Sequence, residues 1–291
     1  MKTVKSSNGF LGLPTQIKSK NKVLVIPFGL ESTVSYGGGT KKGPQKIIEA
    51  SHQVELFDDE LKKEPFRKFN LETLKEQKIK KNLDQALEQL TKIINKTIYL
   101  KYFPLILGGE HSITPAIIKS LKKKYSKLTI IQIDAHTDLR DQYLGNKNSH
   151  ACAMRRCLDF KNVDIISIGI RNICKEEFEF VKRNKGRIKI FWSKDISKKK
   201  ILKIKNLIKN KNVYLTFDVD GFDSSLMPAT GTPEPGGLFW NDTLEILKTI
   251  FKNSNVIGAD INELAPKQNL HACDFLTAKL IYKILSYKFA S

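Results

Sequence analysis

Short apolar segments alternate with longer amphipathic segments along most of this chain. The apolar segments are rich in Val, Ile and Leu and carry few polar residues, which is typical of strands covered on both faces. They predict seven strands, at 23–28, 104–107, 129–133, 163–168, 188–191, 213–217 and 255–261. The amphipathic segments predict six helices, at 115–124, 152–160, 175–184, 197–209, 241–252 and 271–287. This alternation predicts an α/β fold in which a central, mostly parallel sheet lies between layers of helices.

Three segments depart from this alternation. Residues 61–98 carry charges throughout and predict one long surface helix or two shorter ones. Segments 36–44 and 227–237 are rich in glycine and proline and are predicted to be loops. Because the chain contains no internal repeat or linker and has 291 residues, we expect one domain spanning 1–291.

The net charge of +20 raises the possibility of a nucleic-acid partner. Only seven of the 50 basic residues are arginine, however, and the planar fork of arginine is favoured for phosphate and base recognition. The lysines are spread over many segments without interleaved aromatic residues. We therefore expect a solvated, lysine-rich surface and no nucleic-acid partner.

Location is predicted from what the chain lacks. No stretch approaches the roughly 18 uncharged apolar residues that a membrane span requires. Residues 1–20 have neither the apolar core nor the cleavage pattern of a secretory signal. Four cysteines are present without a C-x-x-C pair, at Cys152, Cys157, Cys174 and Cys273. Free thiols suit a reducing compartment, so we expect a cytoplasmic protein with no membrane partner.

Polar clusters follow four of the predicted strands. They are GGEH (108–111), DAHTD (134–138), DVD (218–220) and NE (262–263). In parallel α/β sheets, ligands bind at the carboxyl ends of strands. The four clusters are therefore expected to converge on one site.

The residue types in three of these clusters are those that bind metal ions. In extended backbone, residues two apart project to one side, so Asp134, His136 and Asp138 are expected to share a face, as are Asp218 and Asp220. The candidate ligands are His111, Asp134, His136, Asp138, Asp218 and Asp220.

Charge predicts how many ions such a cluster needs. At 4 Å and an effective dielectric of 20, one pair of carboxylates repels by about 4 kcal/mol. Two divalent cations would cancel the four carboxylate charges, and six ligands are few enough that some must bridge the ions. Oxygen-rich ligation with imidazole favours Mn²⁺, with Zn²⁺ or Fe²⁺ as alternatives.

These motifs resemble the signatures of a known enzyme family. GGEHS (108–112), DAHTD (134–138) and FDVDGFDSSLMPATGTPEPGG (217–237) are similar to the three signatures of the ureohydrolases, the arginase and agmatinase family. The agmatinase-like segments PFGLESTVSYGGGTKKGP (27–44), SHACAMRR (149–156) and DINELAP (260–266) extend the resemblance over most of the chain. The resemblance implies a three-layer α/β/α sandwich, two Mn²⁺ per subunit, a trimer or hexamer, and residues 1–20 as a possible N-terminal arm.

The resemblance also implies a role for each candidate residue. One manganese would be bound by His111, Asp134, Asp138 and Asp218, and the other by Asp134, His136, Asp218 and Asp220. Asp134 and Asp218 would bridge the two ions. Asp138 is expected to carry a proton to the leaving amine, His150 to relay protons, and Glu263 to bind the guanidinium group.

Two residues or segments depart from the family pattern. Glu110 stands where the family more often has aspartate, and residues 150–152 read His-Ala-Cys where many agmatinases have His-Gly-Thr. The loop at 139–143, by contrast, resembles the agmatinase pattern, with Arg140 in place of the asparagine typical of arginases.

We therefore expect hydrolysis of agmatine to putrescine and urea. Guanidinobutyrate, aminopropylagmatine and arginine are alternative substrates. A non-catalytic scaffold, a metal-dependent amide hydrolase and a nucleic-acid-binding protein are alternatives from other classes.

Overall fold

An eight-stranded, fully parallel sheet organises the computed structural model, which describes all 291 residues. The strands are β1 (Lys22–Phe28), β2 (Asn70–Thr73), β3 (Phe103–Gly108), β4 (Leu128–Ile133), β5 (Val163–Ile170), β6 (Ile188–Trp192), β7 (Asn212–Asp218) and β8 (Asn255–Asn262). Their order across the sheet is β2-β1-β3-β8-β7-β4-β5-β6. All seven predicted strands are present, and the sheet confirms the predicted fold class.

Eight helices cover the two faces of the sheet. They are α1 (Gly43–Ser51), α2 (Leu83–Tyr99), α3 (Thr114–Leu121), α4 (Ala153–Cys157), α5 (Lys175–Arg183), α6 (Lys198–Ile208), α7 (Trp240–Asn253) and α8 (His271–Phe289). Alternate residues of β1 enter opposite apolar clusters, because side chains alternate across a strand. Val23 and Val25 belong to the apolar cluster that includes residues of α1, α6, α7 and α8, whereas Leu24 and Ile26 belong to the cluster that includes residues of α2, α3 and α4. The three-layer sandwich follows from this double-sided burial.

The prediction of one long helix or two shorter ones over residues 61–98 was wrong for its first half, because residues 61–82 form no α-helix and only α2 is helical. Pro65 opens a short 3-10 turn, and Asn70–Thr73 forms edge strand β2 beside β1. Leu71 and Thr73 are buried while their neighbours are partly exposed, which is the two-residue period of a strand. The helix begins only at Leu83, where the Asn82 side chain accepts a hydrogen bond from the Gln85 amide.

Two further helices differ from the predictions. Helix α1, which follows the glycine-rich loop and has Pro44 in its first turn, was not predicted. Helix α4 covers five residues of the predicted 152–160, and a 3-10 turn at 150–152 precedes it.

Residues 1–20 lie against this chain's own sheet edge. Phe10, Leu11 and Leu13 are buried in the same apolar cluster as α1 and α8. The Val4 amide donates to the Thr73 carbonyl at 3.0 Å, which ties the segment to β2. No helix in the chain has the length and apolar character needed to cross a bilayer.

The strand order brings the four polar clusters together. Strands β3, β8, β7 and β4 are consecutive across the sheet, and each ends at one of the clusters. The candidate site therefore lies at the carboxyl edge of the four central strands.

Candidate active site

His111 lies at the centre of three aspartates. Its Nδ1 atom is 3.2 Å from Asp134 Oδ2, 3.1 Å from Asp138 Oδ2 and 3.3 Å from Asp218 Oδ2. All four residues are buried. Nδ1 nevertheless makes no hydrogen bond that satisfies the usual geometry. One nitrogen lone pair surrounded by carboxylate oxygens in a buried site is an arrangement that suits a cation.

The other ring nitrogen of His111 determines the tautomer. Nε2 lies 2.7 Å from the Thr216 hydroxyl oxygen, and that hydroxyl donates its own proton to Asp260. Thr216 must therefore accept from Nε2–H, which leaves Nδ1 unprotonated in the neutral ring. Asp260 also accepts from Thr114, Tyr214 and Asn262 and is fully buried. This network orients His111 as metal-binding histidines are oriented in proteins.

A second group of candidate ligands shares Asp134 with the first. His136 Nδ1 lies 2.9 Å from Asp220 Oδ2 and 3.8 Å from Asp134 Oδ1. Ligand atoms of Asp134, His136 and Asp220 lie within 4.8 Å of one another, as do those of His111, Asp134 and Asp218. Two ions held by these groups would share the Asp134 carboxylate as a ligand.

The six candidates converge, but not through the extended spacing that the sequence suggested. Residues 134 and 135 form a bend after β4, the His136 amide donates to Asp134 Oδ1, and Asp138 has a left-handed φ of 51°. Asp218 and Asp220 are joined by a 3-10 turn in which the Asp220 amide donates to Asp218 Oδ1. Local turns, stabilised by the carboxylates themselves, therefore direct these side chains.

Charges in the cluster are balanced by protons in the absence of metal. Burial, followed by the charges of Asp220 and Asp138, raises the pKa of Asp134 to about 7. Burial opposes protonation of His136, but the neighbouring Asp220 carboxylate outweighs it and raises the pKa of His136 to about 11. Burial likewise raises the pKa of Asp218 well above its usual value. A carboxylate-rich site that retains protons near neutral pH fits divalent cations, which would displace those protons.

Glu263 follows β8 and lies beside the first ligand group. Its Oε1 accepts a hydrogen bond from the His111 amide at 2.6 Å, and the Glu263 backbone has a left-handed φ of 66°. Burial, and then the charge of Glu110, raises the pKa of Glu263 well above its usual value. A cationic group arriving in the cavity would favour the ionised form of this carboxylate.

A cavity of about 290 Å³ opens onto these groups. Its lining includes His150 and Glu263 together with five of the six candidate ligands, His111, His136, Asp138, Asp218 and Asp220. Val34–Gly37, Thr230–Thr232, Arg140 and Tyr143 also line the cavity. The Arg140 guanidinium lies 5.2 Å from the Tyr143 ring centroid. The cavity is of a size that suits a small molecule.

Several residues that support the site were not predicted. Arg171 donates to five backbone carbonyls at 3.0 Å or less, including those of Asp220 and Glu234. Gln132 donates to Asp134 Oδ2 at 2.8 Å and accepts from Ser167. Gln132, Thr216 and Asp260 are polar residues inside otherwise apolar strands, and that interruption was the signal available in the sequence.

Comparison with known proteins identifies the family of this chain. The chain belongs to the Arginase family, which it matches over residues 21–286. It is therefore a ureohydrolase, a hydrolase of the class that acts on guanidino compounds.

Individual relatives differ in the substrates that their names describe. The chain is 36% identical to N(1)-aminopropylagmatine ureohydrolase of Synechocystis sp., over 91% of this chain and 88% of that protein. It is 34% identical to agmatinase of Bacillus cereus, over 85% of this chain and 84% of that protein. The crystal structure of agmatine ureohydrolase of Thermoplasma volcanium superimposes with a TM-score of 0.82 at 29% identity, covering 99% of this chain and 94% of that one.

Proposed function

We propose that this chain is a two-manganese ureohydrolase that converts agmatine and water to putrescine and urea. The main observation in its favour is that Asp134 belongs to both ligand groups and that His111 of the first group contacts Glu263. His111, Asp134, Asp138 and Asp218 would hold one ion, and Asp134, His136, Asp218 and Asp220 the other. Oxygen-rich ligation with two imidazoles supports Mn²⁺.

The residues of the chain would divide the chemistry among them. Two divalent cations, once bound, supply the acidity that makes water a nucleophile near neutral pH. Glu263 uses one oxygen for the His111 amide, so its second oxygen is free to accept from a guanidinium group. Asp138 would donate the proton that the departing amine needs, and His150 would exchange protons with solvent. Fixing the guanidinium against Glu263 lowers the entropy cost of the reaction.

A second substrate is favoured by a specific observation. The Synechocystis relative, at 36% identity, is named for N(1)-aminopropylagmatine, and this compound shares the guanidinium end of agmatine. Arg140 at the cavity wall provides a site that a carboxylate-bearing guanidino acid could use. We rank agmatine first, aminopropylagmatine second, and guanidinobutyrate and arginine after them.

Urea release tests the proposal. Purified protein with added Mn²⁺ is offered agmatine, N(1)-aminopropylagmatine, guanidinobutyrate and arginine, and kcat/KM is compared. The highest value is expected for agmatine. A chain that released urea from none of them would refute the function, and a clear preference for another compound would replace the substrate.

Glu263→Gln tests the binding of the guanidinium group. The amide can keep its oxygen toward the His111 amide, but it then presents NH₂ to the substrate in place of a carboxylate oxygen. We expect kcat/KM to fall about 100-fold, in line with loss of a charge-assisted hydrogen bond, while Mn²⁺ still binds. Glu88→Gln, on an exposed helix position, is the matched control. Near-normal turnover of Glu263→Gln would remove Glu263 from the mechanism.

Assembly and location belong to the same proposal. The family resemblance supports a trimer or hexamer, and the free cysteines support a cytoplasmic location. Analytical ultracentrifugation separates either form from a 33.1 kDa monomer.

A further inference from the structure

Glu110 precedes the candidate ligand His111, but its carboxylate contacts the segment that follows β1. Its Oε2 accepts the amides of Ser32 and Thr33, both at 2.6 Å. Its Oε1 accepts the hydroxyls of Thr33 at 2.8 Å and Ser112 at 2.6 Å. Glu110 is fully buried. Four donors around one buried carboxylate are the surroundings that an ionised group requires, because such a group only accepts hydrogen bonds.

The Thr33 hydroxyl connects this carboxylate to His150. A hydroxyl has one proton, and here that proton is directed to Glu110. The Thr33 oxygen also receives the His150 backbone amide at 3.1 Å and lies 3.1 Å from His150 Nδ1. Because its proton is already committed, the oxygen can only accept from Nδ1. Ser149 Oγ lies 3.4 Å from the same nitrogen, which is a weaker contact.

We propose that Glu110, acting through the Thr33 hydroxyl, is a positioning residue that holds His150 in the Nδ1–H tautomer with Nε2 free in the cavity. Thr33 touches His150 directly, and Glu110 acts by fixing the direction of the Thr33 proton. Neither residue was assigned a role by the sequence motifs. This inference rests on the proposed function, in which His150 exchanges protons with solvent.

The arrangement suits a group that both gains and loses a proton. When Nε2 of the neutral ring accepts a proton, the ring becomes an imidazolium and Nδ1–H continues to donate to Thr33. When that proton leaves for solvent or the product amine, the original tautomer returns. The hydrogen bond to Thr33 is kept in both charge states, so the ring need not reorient between them.

A second contact fixes the plane of the ring. The Tyr143 ring meets His150 edge to face, with centroids 5.8 Å apart and an interplanar angle of 77°. Tyr143 is itself held by a tight turn in which its amide and carbonyl bond to Asn146. His150 is thus contacted at Nδ1 by Thr33 and at its ring by Tyr143.

Kinetics of two Thr33 variants test the inference. Thr33→Val keeps the shape of the side chain but removes the hydroxyl, whereas Thr33→Ser keeps the hydroxyl. Complete loss of a general acid or base lowers the rate about 100-fold or more. Losing only the orientation of His150, in Thr33→Val, is therefore expected to lower kcat about tenfold. KM for agmatine should change less than about threefold in Thr33→Val, and Thr33→Ser should stay within about twofold of the wild type.

The tautomer can be measured without turnover. In protein labelled with ¹⁵N-histidine, at a pH where the ring is neutral, the ring nitrogen shifts show which nitrogen carries the proton. The His150 signals are identified by their loss in His150→Gln. We expect Nδ1–H in the wild type and loss of this preference in Thr33→Val.

Glu110→Gln is expected to reverse the tautomer of His150. Two backbone amides contact Oε2, so the glutamine oxygen must face them, and its NH₂ must face the hydroxyls of Thr33 and Ser112. Thr33 would then accept from the amide and donate its own proton to His150 Nδ1. The neutral His150 ring is expected to switch to the Nε2–H tautomer. This switch in Glu110→Gln tests the inference if Thr33→Val fails to fold.

The outcomes separate this inference from the proposed function. Equal kcat in Thr33→Val and the wild type, equal losses in Thr33→Val and Thr33→Ser, or Nε2–H in the wild type would each overturn the positioning role. If the wild type releases no urea from any guanidino compound, the proposed function fails. The NMR measurement would still decide whether Thr33 and Glu110 set the His150 tautomer.

Discussion

Mn²⁺ is expected to stabilise this protein more at pH 8 than at pH 5.5. The cause is the buried carboxylate cluster, in which Asp134 retains a proton up to a pKa of about 7 in the metal-free protein. An unfolded chain releases that proton near pH 3.8. The metal-free folded state therefore binds more protons than the unfolded state between these values, and its stability falls as pH rises through them. The raised pKa of His136 acts in the same direction above its usual value of 6.5.

The size of the effect follows from the pKa of Asp134. Burial is the main cause of the rise in this pKa from 3.8 to about 7, and the charges of Asp220 and Asp138 add to it. The pKa of Asp134 lies about 1.5 pH units above pH 5.5. Titration of Asp134 alone therefore lowers the stability of the metal-free protein by about 2 kcal/mol over the tested range.

Thermal unfolding provides the assay. Protein stripped with a chelator is compared with protein in saturating Mn²⁺ at both pH values. At roughly 2 °C per kcal/mol for a chain of this size, the Mn²⁺-induced rise in Tm should be about 4 °C larger at pH 8. Asp134→Asn, which removes both the ligand and the titrating group, should show little Mn²⁺ effect at either pH. A rise in Tm that is equal at the two pH values, or larger at pH 5.5, would refute the reasoning.

Three further predictions concern residues that support the site or the fold. Thr216→Val should weaken Mn²⁺ binding about 10- to 100-fold by calorimetry, because His111 loses its Nε2 acceptor, whereas Thr216→Ser should retain affinity. Lys283→Met should lower the free energy of unfolding by about 3–5 kcal/mol in urea, because buried Asp58 loses its cation. If a Lys283→Met, Asp58→Asn double variant recovered none of this stability, the explanation would be contradicted. Arg171→Leu should lower the free energy of unfolding by about 1–3 kcal/mol or more in the same assay, since several backbone carbonyls lose their donor. Unchanged unfolding would show that solvent replaces the Arg171 donor.

Local patterns in the sequence predicted the central sheet and the residues at its carboxyl edge. Strands buried on both faces must be nearly continuous in Val, Ile and Leu, so β4 and β7 are visible without knowledge of their partners. The abrupt change from Ile133 to Asp134, and from Phe217 to Asp218, marks where each strand leaves the core. The edge strand β2 was not visible in this way, because four half-buried residues in a charged segment carry little pattern.

The sequence by itself thus determined the fold class and the family, and it supplied the candidate metal ligands, because these depend on composition and spacing within short segments. Only the tertiary structure decided which atoms face one another. The Nδ1 of His111 and the carboxylate of Asp218 come from segments about a hundred residues apart, and Thr33 reaches Glu110 across 77 positions. The direction of each proton in those contacts depends on every neighbour of the donor and acceptor, and that information exists only once the strands are placed side by side.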